Sequence, residues 1–274
     1  MLKNIKEYKD YLFRTEKSAA TVRKYLSDVG RFLDFIGDGE ASAERARAYK
    51  DELTKKYSPQ SVNCTIASLN SFFKFCGREE LCQKRLRVQR MVYCSEEREL
   101  CREEYLRLVR EAERRKNERL ALLLQTVCAT GIRVSELEFI TVESLARGEA
   151  IVNCKGKLRR VLIVKELRKR LAAYAKKRGI ATGAIFITRG GKPLDRSNIW
   201  REMRSLCAAA RVSAEKVFPH NLRHLFAKMF YSIDKDISRL SDILGHSSID
   251  TTRIYIIESG AEHRKKMENM RLLI

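Results

Sequence analysis

The sequence predicts a mainly α-helical fold with two domains: an N-terminal bundle of about four helices, and an α-rich second domain with a small antiparallel β-sheet. Only three prolines and 13 glycines interrupt the 274 residues, so long helices can form. Hydrophobic residues make up 44% of the chain, which is enough for packed cores, and the length suits two ordinary domains.

The first 80 residues carry the signals of the helical bundle. An apolar stripe at helical spacing runs through Val22, Tyr25, Leu26, Val29, Phe32, Leu33 and Ile36. Another helix begins with Ser58 as its cap and Pro59 in its first turn. Together with helical segments at 5–13 and 45–53, these signals predict a compact, four-helix domain over residues 1–82.

A basic linker between the domains is predicted over residues 83–96. Residues 83–90 read QKRLRVQR, a stretch with many charges and few side chains that could anchor it in a core. The alternative is the solvated end of a helix. The second domain then covers residues 97–274.

A β-hairpin is the clearest strand signal in the second domain. Ala150–Asn153 and Leu158–Val164 are strand-like runs on either side of the turn Lys155-Gly156-Lys157. A further short strand is predicted at 184–188, just before two glycines. The helices predicted to surround this sheet include 198–210 and 222–231.

The formal net charge of +21 indicates a polyanionic partner. The first 90 residues carry 19 Lys and Arg against 12 Asp and Glu, a net charge of +7, which leaves +14 for the rest. The excess is therefore spread over both domains. Such self-repulsion favours nucleic acid as the partner. The alternative is a highly soluble protein with solvated charged faces.

Membrane insertion and zinc binding are not expected. No stretch reaches the ~18 apolar residues of a spanning helix, and the N-terminal MLKNIKEYKDYL lacks the apolar centre of a signal peptide. Eight cysteines are scattered without a C-x-x-C pair, which predicts mostly buried, reduced thiols in a cytoplasmic protein.

Three of the four histidines, His220, His224 and His246, fall within 27 residues. Pro219 places His220 in the first turn of a helix, and the spacing of three puts Arg223 on the same face. His220 and His224 stand four apart, as zinc ligands can. However, the acid that zinc hydrolases place after the first histidine is missing, so we predict a packing or supporting role for His224.

His246 and Tyr255 are predicted to lie on neighbouring elements. Gly245 is expected to supply the left-handed turn that ends a helix, so the His246 side chain can project into a cleft. Residues 247–250 resemble a capping box that opens the next helix, which places Tyr255 two turns into it.

Arg133 follows a glycine turn in the segment ATGIRVSEL. Glu136, three residues later, could orient its guanidinium group. An arginine beside a carboxylate is also a common structural ion pair, so this motif alone is a weak signal.

Four blocks together resemble the signature of the tyrosine recombinase, or phage-type integrase, family. They are ATGIRVSEL, CKGKLRR on the hairpin, HNLRH and LGHSSIDTTRIY, in the order typical of the family. The resemblance covers nearly all of the second domain. The first domain is similar to the SAM-like core-binding domain of the family, so the chain resembles its minimal two-domain, Xer-like form.

The resemblance implies a site-specific recombinase that cuts DNA through a covalent 3′-phosphotyrosine bond. Arg133 and Arg223 would grip the scissile phosphate, because a forked guanidinium suits two non-bridging oxygens. Lys155 would protonate the leaving 5′-oxygen, and Lys157 in the same turn competes for that role. Because the phosphotyrosine conserves the bond energy, rejoining would need no ATP.

In the same scheme Tyr255 would be the nucleophile, His220 the acid/base residue that assists its ionisation, and His246 a further hydrogen-bond donor to the phosphate. A tyrosine has an ordinary pKa near 10, so it needs a cationic pocket or a base at neutral pH. The basic residues supply this, and no metal or other cofactor is predicted. Taken alone, Tyr255 would more often be a packed aromatic residue.

Double-stranded DNA is the implied partner. Two basic domains with a basic linker suggest a C-shaped clamp, in which Arg85, Arg87 and Arg90 cross the DNA backbone; Lys157 is a further candidate contact. The resemblance also implies a homotetramer on synapsed DNA, associated with the nucleoid. An apolar helix at 262–273 would pack either on its own domain or on a neighbouring protomer.

Three other functions stay open. One is a non-catalytic DNA-binding protein of the same fold, another is a type IB topoisomerase, which would relax supercoils without a specific site, and the third is a metal-dependent nuclease. Within recombination, Ile256-Ile257-Glu258 replaces the histidine that often closely follows the tyrosine in chromosome-dimer resolvases. This difference favours a mobile-element integrase or transposase.

Overall fold

The computed structural model describes residues 5–88, 98–154, 157–188, 190–256 and 267–270. The chain divides into two compact units, Met1–Met91 and Val92–Ile274. Each unit has its own hydrophobic core.

The first unit contains the predicted bundle of four helices. They are α1 (Ile5–Arg14), α2 (Ala19–Ile36), α3 (Ala43–Lys56) and α4 (Pro59–Phe75). Ser18, Ser42 and Ser58 cap the last three, and each accepts a hydrogen bond from a backbone N–H in the first turn. The apolar stripes of the helices meet in a core that includes the fully buried Phe32 and Phe73.

The beginning of the predicted linker is fastened to this bundle. The Asn63 side chain donates to the Leu86 carbonyl at 2.9 Å and accepts from the Leu86 N–H at 2.7 Å. Asn70 makes the same pair of bonds with Gln83, both at 2.9 Å. Residues 83–86 therefore pack with the first unit, and the exact limits of the linker stay a prediction.

Of the three arginines predicted to cross the DNA backbone, Arg85 and Arg87 are exposed to solvent. Arg90 lies outside the described residues. The exposure of the first two is compatible with phosphate contact, and that role stays a prediction.

The second unit is mainly helical, with α6 at its centre in contact with α5, α8 and α11. Its helices are α5 (Arg102–Arg114), α6 (Glu118–Thr130), α7 (Val142–Arg147), α8 (Lys165–Lys177), α9 (Arg196–Ser205), α10 (Cys207–Ala210), α11 (Pro219–Ile233), α12 (Ile237–Leu244) and α13 (Ile249–Arg253). Over the described ranges, no helix is both long and apolar enough to cross a membrane. The predicted fold class is confirmed.

The predicted hairpin forms a two-stranded antiparallel sheet of β1 (Glu149–Cys154) and β2 (Lys157–Leu162). Val152 and Val161 are buried on its inner face. Because side chains alternate along a strand, Arg159 also points inward, two residues before Val161. The Arg159 side chain therefore reaches Glu136 inside the second unit.

The strand predicted at 184–188 does not form. Ala184 and Ile187 make isolated bridges only, outside the named strands. Ile185 and Phe186 are buried in the core of the second unit. The apolar run therefore reflects core packing and not a place in a strand ladder.

The prediction of mostly buried thiols was wrong. Among the six cysteines whose side chains the structure describes, only Cys207 is buried, Cys64 and Cys101 are exposed, and the other three are partly buried. Cys64 lies on the outer side of α4, between positions of the apolar stripe, and Cys101 lies at the start of α5.

Candidate active site

Arg133 is presented by a glycine turn at the end of α6. Gly131 has a φ of 62°, and a Cβ atom there would lie 2.5 Å from the Phe226 ring, so the turn requires glycine. Two residues on, the Arg133 backbone N–H donates to Glu136 Oε2 at 2.9 Å and its Nη1 donates to Oε1 at 2.8 Å. Glu136 thus holds both the backbone and the guanidinium of Arg133.

A second arginine, Arg159 on β2, reaches the same carboxylate. Its Nη2 donates to Glu136 Oε2, and its Nη1 donates to the Ile243 carbonyl of α12 at 2.8 Å. Burial of Glu136 disfavours its charged form, but hydrogen bonds from Arg133 and the charge of Arg159 outweigh this and lower its pKa. Glu136 is therefore a carboxylate anion shared by two cations.

Sequence reasoning missed Arg159. The available signal was its inward position on β2, because an arginine on the buried face of a strand needs an acceptor inside the protein. Arg159 also packs against Gly245, where a Cβ atom would lie 2.3 Å from its Cδ atom. Arg159 therefore connects the hairpin to the end of α12, next to His246.

Arg223, on α11, is only 1% exposed. Its Nη1 donates to the Gly131 carbonyl, and its Nη2 donates to the Leu244 carbonyl at 2.6 Å. Burial, and then the charge of Arg133, lowers the pKa of Arg223 to about 10, so the group stays charged at neutral pH. Its Nε has no hydrogen-bond partner among the described residues, which leaves one donor of a buried cation unused.

His246 lies between Arg223 and Thr252. The Arg223 Nη2 lies 3.0 Å from His246 Nε2, and the Thr252 hydroxyl lies 2.8 Å from Nδ1. Because a guanidinium can only donate, Nε2 must accept, and in the neutral ring Nδ1 carries the proton. Burial, and then the charge of Arg223, lowers the pKa of His246 to about 4. The donor role expected for His246 would need a proton on Nε2, whereas here this atom accepts.

Tyr255 lies just beyond α13 and not two turns into a helix, so that part of the prediction was wrong. Ser248 is the N-cap, and α13 ends at Arg253 after five residues. The Tyr255 backbone N–H donates to the Thr252 carbonyl at 3.0 Å. The side chain is 4% exposed and packs with residues of α11 and α12.

Three imidazole rings surround the Tyr255 ring. The ring centroids of His220, His224 and His246 lie 5.2, 5.2 and 5.1 Å from that of Tyr255. Arg223 is also close, since it hydrogen-bonds to His246, whose ring packs on that of Tyr255. His220 is more exposed, but partial desolvation of its ring, and then the charge of Arg223, lowers its pKa as well, which favours the neutral base at pH 7.

An open groove of about 800 Å³ lies on the His246 side of this cluster. Arg133, Arg159 and His246 are among the residues that line it. Its charged residues are Arg133, Arg159 and Arg160 against Glu136 and Asp242, and the buried Arg223 adds a further positive charge next to His246. The excess of positive charge suits an anion such as a phosphate group.

Two predicted site residues, Lys155 and Lys157, cannot be placed in this cluster. Lys155, the predicted general acid, lies outside the described residues, and so does the side chain of Lys157. The roles of both lysines stay predictions. Where side chains are described, no three histidine, cysteine or acidic groups come together as a metal site would require.

Arg159→Lys is expected to slow DNA cleavage by roughly 10–100-fold, since small displacements of reacting groups have effects of this size. A lysine is a single point charge and cannot span both Glu136 and the Ile243 carbonyl. The measurement is single-turnover cleavage at saturating DNA. Arg160→Lys is the matched control, because the Arg160 side chain is 75% exposed. Equal rates for both variants would show that Arg159 has no positioning role.

Thermal stability is expected to fall as the pH decreases from about 6.5 to 5. The pKa values of His220, His224 and His246 are all lowered in the folded protein, whereas the unfolded chain protonates near 6.5. The unfolded state therefore takes up protons first, and stability present above pH 6.5 is lost as the pH falls. Melting temperatures of wild type and His246→Gln test this. The melting temperature of the variant should decrease less over this pH range. Identical pH profiles would show that His246 does not contribute to the pH dependence.

Comparison with known proteins gives consistent matches over both units. Residues 98–261 match the description of the phage integrase family, and residues 5–80 match that of the phage integrase N-terminal SAM-like domain. The tyrosine recombinase XerA of Thermococcus kodakarensis is 31% identical, over 98% of this chain and 95% of its own length.

Two solved structures illustrate the likeness in fold. The crystal structure of XerA recombinase is 27% identical, with a TM-score of 0.54 and coverage of 98% of both chains. A lambda integrase tetramer bound to a Holliday junction has a TM-score of 0.70 at 17% identity, over 89% of this chain and 76% of that chain. At that identity the second match indicates fold only.

Proposed function

The chain belongs to the phage integrase family and is a tyrosine-type site-specific DNA recombinase, and we propose that it cuts DNA with Tyr255. The observation that carries this assignment is the surroundings of the Tyr255 ring. Three histidines contact it, and the buried Arg223 lies beside it. A phenol needs a base and nearby positive charge to attack at neutral pH, and this arrangement supplies both.

We propose that Arg133 and Arg223 hold the scissile phosphate. Each is fixed by neighbouring groups before DNA arrives, Arg133 by Glu136 and Arg223 by two backbone carbonyls. Charge accumulates on the phosphate oxygens in the pentacoordinate transition state. Donors that are already oriented stabilise that charge without reorganisation, and this is their main catalytic effect.

The protonation state of His220 determines how the phenolic proton can be transferred. His220 is neutral at pH 7 and would accept the phenolic proton as the Tyr255 oxygen bonds to phosphorus. The bond from phosphorus to the 5′-oxygen breaks, and Lys155 would protonate that oxygen. Rejoining is the reverse reaction, in which a 5′-hydroxyl attacks and tyrosine leaves. Because one phosphodiester replaces another, ATP is not consumed, and the cations take the place of a metal.

His246 would act in two steps. In the described state its Nε2 accepts from Arg223 and so holds that guanidinium in place. We propose that the negative charge of a bound phosphate then favours protonation of His246, whose Nε2–H would become a phosphate donor. Thr252 would keep the ring oriented in both states, because its hydroxyl can accept from Nδ1.

Duplex DNA would be held by both domains and the basic linker, with phosphate contacts from Arg85, Arg87, Arg90 and Lys157. The affinity is then expected to fall 10³–10⁵-fold between 50 and 200 mM salt, for roughly 6–10 phosphate contacts. Fluorescence anisotropy with labelled duplex measures this slope. A decrease below about tenfold would contradict the clamp. Action within the nucleoid is part of the same proposal.

We propose that the active form is a homotetramer linked by C-terminal tails. A groove of about 870 Å³ in the second unit is lined in part by Leu100, Leu225, Met229 and Ile256. It would accept the apolar side of the tail helix predicted at 262–273, of which only residues 267–270 are described, from a neighbouring protomer. The lambda integrase tetramer on a Holliday junction offers a precedent for a tetramer on DNA in a protein of the same fold.

The test is covalent capture from sheared genomic DNA of the source organism, with EDTA present and an SDS quench. Protein-linked fragments are then isolated and sequenced. A recombinase should yield cuts at one shared sequence, with protein on the 3′ end of the cut strand and a 5′-hydroxyl on the other side of the same cut. Random ends would indicate a topoisomerase-like enzyme, and no adduct despite tight DNA binding would indicate a non-catalytic binder.

The position of the captured site also distinguishes the two biological roles. A covalent adduct at the flanks of its own gene would support a mobile-element integrase, the role that the sequence after Tyr255 favours. A single chromosomal site elsewhere would support dimer resolution, and similarity to XerA makes this the second candidate.

A further inference from the structure

His224 is a partly buried residue of the site that takes no part in the proposed proton transfers or phosphate contacts. It lies one helical turn after His220 on α11, and its side chain is 15% exposed. Its Nε2 lies 3.2 Å from the Ile254 carbonyl, immediately before the nucleophile in the chain. A carbonyl can only accept, so Nε2 carries a proton and donates it to this bond.

The opposite edge of the His224 ring faces Glu99. Nδ1 lies 3.9 Å from Glu99 Oε1, which is buried and has no hydrogen-bond partner among the described residues. Lys228, one turn further along α11, pairs with the other carboxylate oxygen. Glu99 and Ile254 therefore confine the imidazole from its two sides, and its face packs on the Tyr255 ring.

The Tyr255 ring is buried and its backbone N–H bonds to the Thr252 carbonyl, whereas the residue before it lies just beyond the end of a short helix. Helix α13 is only five residues long and ends at Arg253. The Ile254 side chain is 61% exposed, so it does not fasten the segment by packing. The carbonyl of Ile254 lies at a helix end, where backbone acceptors lack helical partners. A side-chain donor at that carbonyl is thus well placed to hold the nucleophile.

We infer that His224 is a positioning residue that fixes the Tyr255 backbone through its hydrogen bond to the Ile254 carbonyl. This inference rests on the proposed function, in which Tyr255 is the nucleophile. The alternative is that His224 only packs against its neighbours. In that case the shape of the ring would determine its effect, and the hydrogen bond would not. Two substitutions separate the roles.

His224→Gln keeps a donor and loses the ring, since the glutamine Nε2 stands as many bonds from the backbone as the histidine Nε2. His224→Phe keeps an aromatic ring and loses the donor. We expect His224→Phe to slow single-turnover cleavage roughly 10–100-fold at saturating DNA, with unchanged DNA affinity. We expect His224→Gln to retain most of the wild-type rate.

A second measurement needs no DNA. Trypsin can cut after Arg253, whose side chain is 66% exposed, and mass spectrometry follows the fragment that begins at Ile254. Release of the Ile254 carbonyl should speed this cut several-fold in His224→Phe and leave it near the wild-type rate in His224→Gln. Circular dichroism and melting temperatures confirm that both variants are folded.

The outcomes separate the two claims. A normal His224→Phe with an impaired His224→Gln would overturn the inference in favour of packing. Two normal variants, or two equally impaired ones, would also overturn it, because the donor would then not matter by itself. If wild type forms no DNA adduct, the proposed function fails, and the trypsin measurement still decides whether His224 holds this segment.

Discussion

Tyr255→Phe is expected to abolish the covalent DNA adduct and to lower strand cleavage by at least ~10⁴-fold. The substitution removes one oxygen atom, whereas the ring keeps its contacts with His220, His224 and His246. DNA affinity and melting temperature should therefore change little. Single-turnover cleavage of a nicked suicide substrate, followed by denaturing electrophoresis, measures the effect.

Tyr231→Phe is the matched control for this substitution. Tyr231 lies on α11 and packs near the same small hydrophobic cluster, but it is not among the aromatic neighbours of Tyr255. It should cleave DNA at the wild-type rate. Residual adduct in Tyr255→Phe would show that another residue attacks the phosphate.

Arg223→Lys is expected to slow cleavage by roughly 10²–10³-fold, the usual cost of losing an oriented donor to transition-state charge. The guanidinium donates at once to the Gly131 and Leu244 carbonyls and to His246. A lysine ammonium cannot reproduce that planar fork, so buried acceptors lose their partners. We therefore also expect a loss of roughly 1–3 kcal/mol in the free energy of unfolding.

The rate and stability effects of Arg223→Lys can be separated. Cleavage is measured well below the melting temperature of the variant, at saturating DNA, so that unfolding does not contribute. Arg204→Lys is the control, because Arg204 stacks over the Trp200 ring at 4.7 Å on a different helix. A slower Arg223→Lys that melts normally would support a purely catalytic role, and normal cleavage would contradict the phosphate-binding assignment.

Features that depend on local backbone chemistry could be predicted from the sequence. Ser58 and Pro59 begin α4 as expected, because capping and a fixed proline φ act within one turn. Gly245 adopts the expected left-handed conformation, with a φ of 64°. Helix caps and glycine turns can be predicted from the sequence because each depends on only a few consecutive residues.

Features that depend on distant contacts were not predictable in the same way. The pairing of Arg159 with Glu136 joins residues 23 positions apart through the register of the hairpin. The acceptor role of His246 depends on Arg223 from another helix. Neither motif spacing nor composition reports which nitrogen of a histidine carries its proton, because this is set by the partner in the fold.

The end of α13 could not be predicted from the sequence either. The segment 247–250 carries a capping signature, but the cap is Ser248 and the helix stops before Tyr255. A helix start can be read from the sequence more readily than a helix end when no glycine or proline marks that end. The consequence bears on function, because the proposed nucleophile then lies just beyond a short helix and not within one.

The identity of the nucleophile is tested most directly by mapping the DNA adduct. The covalent complex is trimmed with nuclease, digested with trypsin and sequenced by mass spectrometry. We predict a nucleotide joined through its 3′-phosphate to Tyr255, on the peptide that begins at Ile254. A nucleotide on any other residue, or a linkage through a 5′-phosphate, would contradict Tyr255 as the residue that cuts DNA.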